Sequence, residues 1–268
     1  MTPGPSKQEA DLDLIRAAAL EAGRLALEAR AEGLKVWSKP GGSPVTDADI
    51  AVDTLLKLRL KAARPNYGWL SEETVDDEAR LGVRRLFVVD PIDGTAAYMK
   101  NKPWFTVCIA VVEDGRPTSG VVHAPELGET YEATLGGGAR LNGAPIAPSP
   151  RTALEDAAML GDARMFADPR WPRPWPPMRV ESRNSIAYRM ALVASGAFDA
   201  ALALTPKNDW DLAAADLIAS EAGAFVADHH GRPFLYNRPA PQQRSLLCAA
   251  PGLGELILQR VGHIDPRD

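Results

Sequence analysis

Between residues 84 and 95 the chain reads Arg-Arg-Leu-Phe-Val-Val-Asp-Pro-Ile-Asp-Gly-Thr. An apolar run, Leu86 to Val89, reads as a short buried strand. It runs into Asp90, is expected to break at Pro91, and reaches Asp93, Gly94 and Thr95 within five residues. Two carboxylates, a stiffened turn and a glycine suit a hard cation. Mg²⁺ takes one or two carboxylates, keeps waters and accepts substrate phosphate. Proline fixes its φ and removes a donor, so the turn is stiff. Gly94 lets a phosphate approach the backbone, and Thr95 is placed to cap a helical turn whose free N–H groups attract anions. Taken alone, the same letters also describe an ordinary Asp/Gly turn after a strand.

Further acids fall where elements begin or end. Thr46-Asp47-Ala48-Asp49 opens a helix over 47–63, with Asp49 in the capping-box position. A strand over Tyr67–Leu70 ends in Ser71-Glu72-Glu73. Two neighbouring strands, 67–70 and 86–90, thus both end in carboxylates, and their ends can meet at one sheet edge. Asp209 or Trp210 begins a helix over 211–222, with Asp211 in its first turn. Helix capping alone would account for Asp49 and Asp211.

The elements that must position these acids are legible by periodicity. Apolar residues at helical spacing (Leu12, Ile15, Ala19, Ala22, Leu25) predict a helix over 8–31. The Pro/Gly-rich run 39–44 is a loop. Residues 105–112, 118–123 and 129–135 alternate as strands, with Glu113-Asp114-Gly115-Arg116 as a hairpin and 136–138 and Asn142-Gly143 as tight turns. A mixed, largely antiparallel sheet packed on the first two helices is expected. Strands at 156–161, 178–181, 198–204, 224–227 and 245–250 alternate with helices over 185–195, 211–222 and 252–262. The whole reads as α/β with layered sheets. A boundary near 150 separates an N-terminal part (1–150), which carries Asp49, Glu72, Asp90 and Asp93, from a C-terminal α/β part (151–268), which carries Asp211. The segment 171–177, Trp-Pro-Arg-Pro-Trp-Pro-Pro, reads as a surface connection rather than a partner-binding proline motif.

Composition excludes other classes. With 268 residues, 46% hydrophobic, the chain can bury a real core. No apolar run approaches the roughly 20 residues that span a bilayer, and the first seven residues lack a signal-peptide stretch, so a cytoplasmic protein without membrane contact is expected. A net charge of −5 with no basic run argues against a nucleic-acid polymer as partner. Cys108 and Cys248 read as buried thiols, and His123, His229, His230 and His263 show no metal-ligand spacing.

Five segments together resemble the inositol monophosphatase superfamily, in order and over roughly residues 10–260. They are Pro44-Val45-Thr46-Asp47-Ala48-Asp49, Ser71-Glu72-Glu73, Asp90-Pro91-Ile92-Asp93-Gly94-Thr95, Gly138-Ala139-Arg140-Leu141-Asn142-Gly143, and Trp210-Asp211 through Asp216 to Glu221-Ala222-Gly223. The resemblance implies a five-layered αβαβα fold, Mg²⁺-dependent hydrolysis of small phosphorylated metabolites, and sensitivity to Li⁺. Dimers are common among relatives, so a homodimer is compatible with the resemblance. It implies that Glu72, Asp90, Asp93 and Asp211 hold two or three Mg²⁺ ions, with Asp90 bridging two and the Ile92 carbonyl completing one shell. Glu72 would face a further ion mostly through water. Asp49 and Thr95 would orient that water and take its proton, while the Gly94 and Thr95 N–H groups hold the phosphate. Helix starts near Thr95, Ser185 and Asp211 are expected to aim at one anion.

The substrate end departs from the inositol pattern. Asn184-Ser185-Ile186-Ala187 replaces a small-residue run, and Leu204 stands seven residues before Asp211, where inositol enzymes carry Glu. Leucine cannot accept hydrogen bonds from an inositol hydroxyl. Arg183, Arg189, Lys207 and Asn208 offer cations and polar groups for a second phosphate, with Arg183 and Lys207 equally readable as solvated charges. The reading leans to a 3′(2′),5′-bisphosphate nucleotide, with inositol 1-phosphate as the alternative and histidinol phosphate and sugar bisphosphates within the same chemistry. A non-catalytic paralogue that binds metal or phosphate is the reading from another class.

Overall fold

The helix expected over 8–31 runs Lys7–Glu32 (α1) in the computed structural model, which describes residues 6–39, 42 and 44–264. Ser6 starts it by accepting from the Glu9 N–H while Glu9 accepts from the Ser6 N–H. A two-stranded ribbon follows, Val36–Ser38 (β1) against Pro44–Thr46 (β2). The loop read at 39–44 lies between them; residues 40, 41 and 43 of it are outside the described residues. Then come Asp47–Ala63 (α2), Gly68–Ser71 (β3), a 3₁₀ turn at Glu78–Gly82, Arg85–Asp93 (β4) and the single turn Thr95–Tyr98 (α3). Next are Thr106–Glu113 (β5), Arg116–Ala124 (β6), Glu129–Thr134 (β7), Gly138–Leu141 (β8) and Ala144–Pro145 (β9). The second half contains Ala158–Leu160 (β10), Ala163–Phe166 (α4), Arg179–Glu181 (β11), Ile186–Ala194 (α5), Ala200–Ala203 (β12) and Lys207–Asn208 (β13). It ends with Asp209–Ala222 (α6), Phe225–Ala227 (β14), Gln242–Gln243 (β15), Leu246–Ala249 (β16) and Pro251–Val261 (α7).

Strands β3 to β9 form one seven-stranded sheet in sequence order. Only β3 and β4 are parallel; the other pairs are antiparallel. Strands β11-β10-β12-β16-β14 form the second sheet. Helices α1 and α2 cover one face of the larger sheet, where Ile15, Ala18, Ala22 and Leu56 meet Phe87, Val89 and Ile109. Helices α5 and α6 fill the space between the sheets, their alanines and leucines touching Val88, Ala110 and Val122 on one side and Leu160, Ala201 and Cys248 on the other. Helix α7 closes the far face with Leu253 and Ile257. The order is αβαβα, and the middle layer packs on both halves of the chain. Cys108 and Cys248 are buried and unpaired, one in each sheet. Among the described residues no helix is long and apolar enough to cross a membrane.

One expectation changes. The strand does not break at Pro91 but continues to Asp93 through an irregularity: Asp90 pairs with Cys108 and Asp93 with Thr106, so Pro91 and Ile92 stand opposite one residue of β5. A bulge is where a strand tolerates proline. It also changes the parity. In a regular strand residues i and i+3 face opposite ways, whereas the extra residue lets Asp90 and Asp93 come within each other's field. The segment 171–177 is a connection anchored on neighbouring helices. Trp171 Nε1 donates to the Met165 carbonyl at 2.6 Å, Trp175 stands edge-on to Phe166 and Trp171, and Arg260 of α7 lies over Trp175 while donating to the Arg173 and Pro174 carbonyls.

At Gly120 of β6 the sheet meets the helix backbone to backbone: a Cβ would come to 2.9 Å from the Ala214 carbonyl oxygen of α6. Neither backbone can yield locally. Gly120→Ala is expected to cost about 1–3 kcal/mol by overpacking, measured as a shift in urea midpoint at unchanged m-value. An unshifted midpoint would show that the layers can separate freely.

Candidate active site

The site grows from the one parallel pair of the large sheet. Because β3 and β4 run together, with Ser71 opposite Val89, their C-terminal ends emerge at the same edge. The Glu72 N–H still donates to the Val89 carbonyl at 3.3 Å, so Glu72 leaves β3 directly beside Asp90. Asp211 arrives from the first turn of α6. Carboxylate oxygens of Glu72, Asp90 and Asp211 lie within 4.8 Å of one another.

The aspartates are fixed by backbone or hydroxyl donors. Asp90 Oδ1 accepts from the Ile92 N–H at 3.1 Å, and Asp211 Oδ2 from the Asn208 N–H at 2.8 Å. Asp49 Oδ2 accepts from the Thr46 N–H at 2.8 Å and the Thr46 hydroxyl at 2.6 Å, while the Thr95 hydroxyl reaches Asp49 Oδ1 and the Ile92 carbonyl, each at 3.1 Å. Asp49 and Asp211 therefore complete the capping boxes of their helices, Asp211 with an oxygen in the carboxylate trio and Asp49 bonded to Thr95. Gly94, not Thr95, caps α3, in the left-handed region at φ 96°. A Cβ there would stand 3.0 Å from the Ser185 nitrogen, so glycine is required twice over, by conformation and by space.

Asp93 is placed differently from the other three. Its Oδ2 accepts from the Ser185 hydroxyl at 2.6 Å and the Ala187 N–H at 2.7 Å, and its Oδ1 from the Ile186 N–H at 3.2 Å. It belongs to the same charge cluster, but its oxygens satisfy the first turn of α5. Two expectations are corrected here. The α5 N-terminus serves a carboxylate of the chain itself rather than a free anion. Ser185, expected to touch substrate, is fully buried and bonded to Asp93, Thr106 and the Tyr188 N–H, so it positions Asp93 instead. Arg183 is also corrected: it donates to Glu181 at 2.7 Å and stacks over Trp104 at 4.6 Å, as an occupied surface cation. Asn184 is exposed beside it.

Burial and like charge dominate the electrostatics. Burial pushes Asp90 well above the carboxylate range, and the charges of Glu72, Asp93 and Asp211 push it further. Burial raises Asp211 to about 8, with Asp93 adding to it and the Asn208 N–H opposing. Burial raises Asp93 to about 6 against its Ser185, Ala187 and Ile186 donors. Burial also raises Asp49, opposed by its Thr46 and Thr95 bonds. Such a set, all oxygen and with acids outnumbering paired bases, fits a hard divalent cation and suits no soft one. The Ile92 carbonyl keeps a second lone pair beyond its Thr95 bond.

Sequence reasoning missed Lys39. Its Nζ donates to Glu72 Oε1 at 2.8 Å and Glu73 Oε1 at 2.7 Å. The partners are more than thirty residues apart, and nothing local to Lys39 signals the contact. Lys207 and Arg189, in contrast, make no ion pair among the described residues. Lys207 Nζ bonds Thr205 Oγ1 and the Pro206 carbonyl, and Arg189 Nε bonds the Arg183 carbonyl. Burial lowers both; Asp211 and Asp93 raise Lys207 and Arg189 lowers it, while Asp93 and Asp162 raise Arg189.

A carboxyl whose folded pKa exceeds its unfolded value favours the fold at low pH. That advantage is complete below about pH 4 and is lost as pH rises through about 6 for Asp93 and about 8 for Asp211. With divalent cations chelated, the melting temperature is expected to fall by a few degrees between about pH 5 and pH 8.5. Mg²⁺ should restore more at the upper end, and Asp90→Asn should raise the chelated melting temperature while abolishing the Mg²⁺ gain. Differential scanning calorimetry checks this; a flat chelated profile with no gain from Asp90→Asn would mean the repulsion is absent.

The model of the inositol monophosphatase family matches residues 7–264. A histidinol-phosphatase of Chlorobaculum parvum is 31% identical, covering 94% of this chain and 97% of that one. The 3′(2′),5′-bisphosphate nucleotidase CysQ of Escherichia coli K12 is 33% identical over 76% of this chain and 83% of its own. Among solved structures, an IMPase of Thermotoga maritima superposes with a TM-score of 0.82 at 27% identity, covering 94% of this chain and 96% of that one.

Proposed function

The chain belongs to the inositol monophosphatase family of phosphatases, and from that premise we propose that it is a Mg²⁺-dependent, Li⁺-sensitive phosphomonoesterase acting on a 3′(2′),5′-bisphosphate nucleotide. The observation that carries the reaction is the trio of Glu72, Asp90 and Asp211 beside the Thr95–Asp49 hydrogen bond. Glu72, Asp90, the Ile92 carbonyl, Asp93 and Asp211 are the groups that would hold two or three Mg²⁺, which when bound neutralise the phosphate dianion and acidify water.

The chain supplies the remaining steps. The N–H groups of Gly94 and Thr95 open α3 without intrahelical partners and bind phosphate oxygens. Thr95 Oγ1 accepts a proton from the attacking water as its own proton passes to Asp49 Oδ1, 3.1 Å away. Burial makes Asp49 a stronger base than an exposed aspartate, which suits it to hold that proton. Ser185 and the α5 N–H groups keep Asp93 from swinging as charge develops. The complete carboxylate set argues against a non-catalytic paralogue.

Substrate choice rests on the other wall. Leu204 packs with the apolar group around Trp171 and Ile264, where it has no hydrogen bond to offer a polyol. Lys207 and Arg189 feel the charge of Asp93 and make no ion pair among the described residues, so a second phosphate would supply an acidic partner. Histidinol phosphate is the second reading, supported by a histidinol-phosphatase relative whose likeness extends over 94% of the chain.

Phosphate release from adenosine 3′,5′-bisphosphate, histidinol phosphate and inositol 1-phosphate tests these readings in one assay. The bisphosphate is expected to turn over fastest, with Li⁺ inhibiting. Asp90→Asn should lose at least about 10²-fold in kcat. Lys207→Ala should raise KM about tenfold for the bisphosphate and leave the monophosphates within about twofold. Equal effects on all three substrates would remove Lys207 from the second-phosphate role, and preference for inositol 1-phosphate would overturn the weight placed on Leu204.

A further inference from the structure

We infer that Lys39 is a built-in counter-ion that competes with a divalent cation for Glu72, so that the chain itself limits how tightly the outer part of the site is filled. The inference rests on the reading of Glu72 as a cation ligand.

Among the described residues Lys39 is the one base in a salt bridge with any of Glu72, Asp90 and Asp211. It follows β1, which pairs only with β2 and joins neither large sheet. Val36 and Trp37 of β1 are about half exposed, so Lys39 is not delivered by a packed core element. Its ammonium lies 2.8 Å from Glu72 and 2.7 Å from Glu73, while the Glu73 side chain is only 4% exposed and the Glu73 N–H is tied to the Ser71 hydroxyl. Of the two glutamates, Glu73 is the one outside the carboxylate trio.

This geometry gives the ammonium two partners and lets it surrender one. When a divalent cation takes Glu72, Lys39 keeps its bond to Glu73 and stays as a nearby positive charge. Cation binding at Glu72 must then break one charge-assisted hydrogen bond and tolerate that charge, and both reduce affinity. Asp90 and Asp211 carry no such competitor; their donors are backbone N–H groups. The competition therefore acts on the Glu72 side and leaves the inner part of the site untouched.

Isothermal titration of Mg²⁺ into the substrate-free protein measures it directly. Lys39→Met is expected to bind the weakest resolved Mg²⁺ about tenfold more tightly, and Lys39→Arg to stay within about threefold of wild type. Glu73→Gln, which commits the ammonium to Glu72, should weaken that ion several-fold. Unchanged or weaker binding in Lys39→Met would overturn the inference, since a lysine that merely orients Glu72 gives that result. Should Lys39→Met fail to fold, tighter or unchanged binding in Glu73→Gln overturns it instead. Asp90→Asn is the control for the premise. Its loss of Mg²⁺ binding upholds the site, whereas retained binding overturns the site reading and this inference with it.

Discussion

Mutual repulsion among buried carboxylates is the constraint on which the rest of this structure depends. Asp90 is almost wholly buried, Asp93 nearly so, and Asp211 and Glu72 converge on them. Left to themselves, such groups would take up protons or separate. The fold prevents separation by anchoring each acid to an element it cannot leave. Asp90 is in a core strand with an antiparallel neighbour, Asp211 in the first turn of a helix sandwiched between two sheets, and Asp49 in the first turn of α2. The repulsion is thereby stored as a demand for cations. The layered core of alanine, valine and leucine supplies the rigidity that holds it.

The anchoring device recurs. Asp49 and Asp211 are both third residues of capping boxes, and Asp93 caps α5 across 92 residues of sequence. A capping acid already has N–H donors aimed at it, so its rotamer is set before any ligand arrives. One oxygen is held by the helix and the other is left to the site, as Thr95 on Asp49 Oδ1 shows. A carboxylate placed this way is preorganised at little extra entropic cost. Capping a helix and presetting the carboxylate are thus the same feature.

That coincidence explains what the sequence made legible. Two neighbouring strand patterns each ran into acid, so Glu72 and Asp90 could be brought to one sheet edge from pattern alone, while Asp211 joined them through the family resemblance. The β3–β4 meeting followed from two apolar runs that each ended in acid, and the Asp114-Gly115 hairpin from its dipeptide. Other features carried no local signal. The bulge at Pro91 depends on the β5 register, which one strand's letters do not encode. Ser185 looked like a phosphate ligand because a serine at a helix start usually faces outward; here Asp93 reaches it first. Arg183 was open to either role; Glu181 stands two residues away in sequence, but Trp104 is its neighbour only in the folded chain. Lys39 is the same case at longer range.

The division of labour between the two walls follows from how each is built. The cation side comes from β3, β4 and α6, elements whose opposite faces are core, so a change there disturbs packing as well as chemistry. The connections 182–185 and 204–208, which carry Asn184, Leu204 and Lys207, lie outside the two large sheets. Relatives at about 30% identity whose names cite histidinol phosphate and a bisphosphate nucleotide differ in substrate while sharing this fold family. The physical reason is that a phosphate dianion presents the same oxygens whatever alcohol it esterifies, so the carboxylate side has nothing to discriminate. Specificity must come from what surrounds the alcohol.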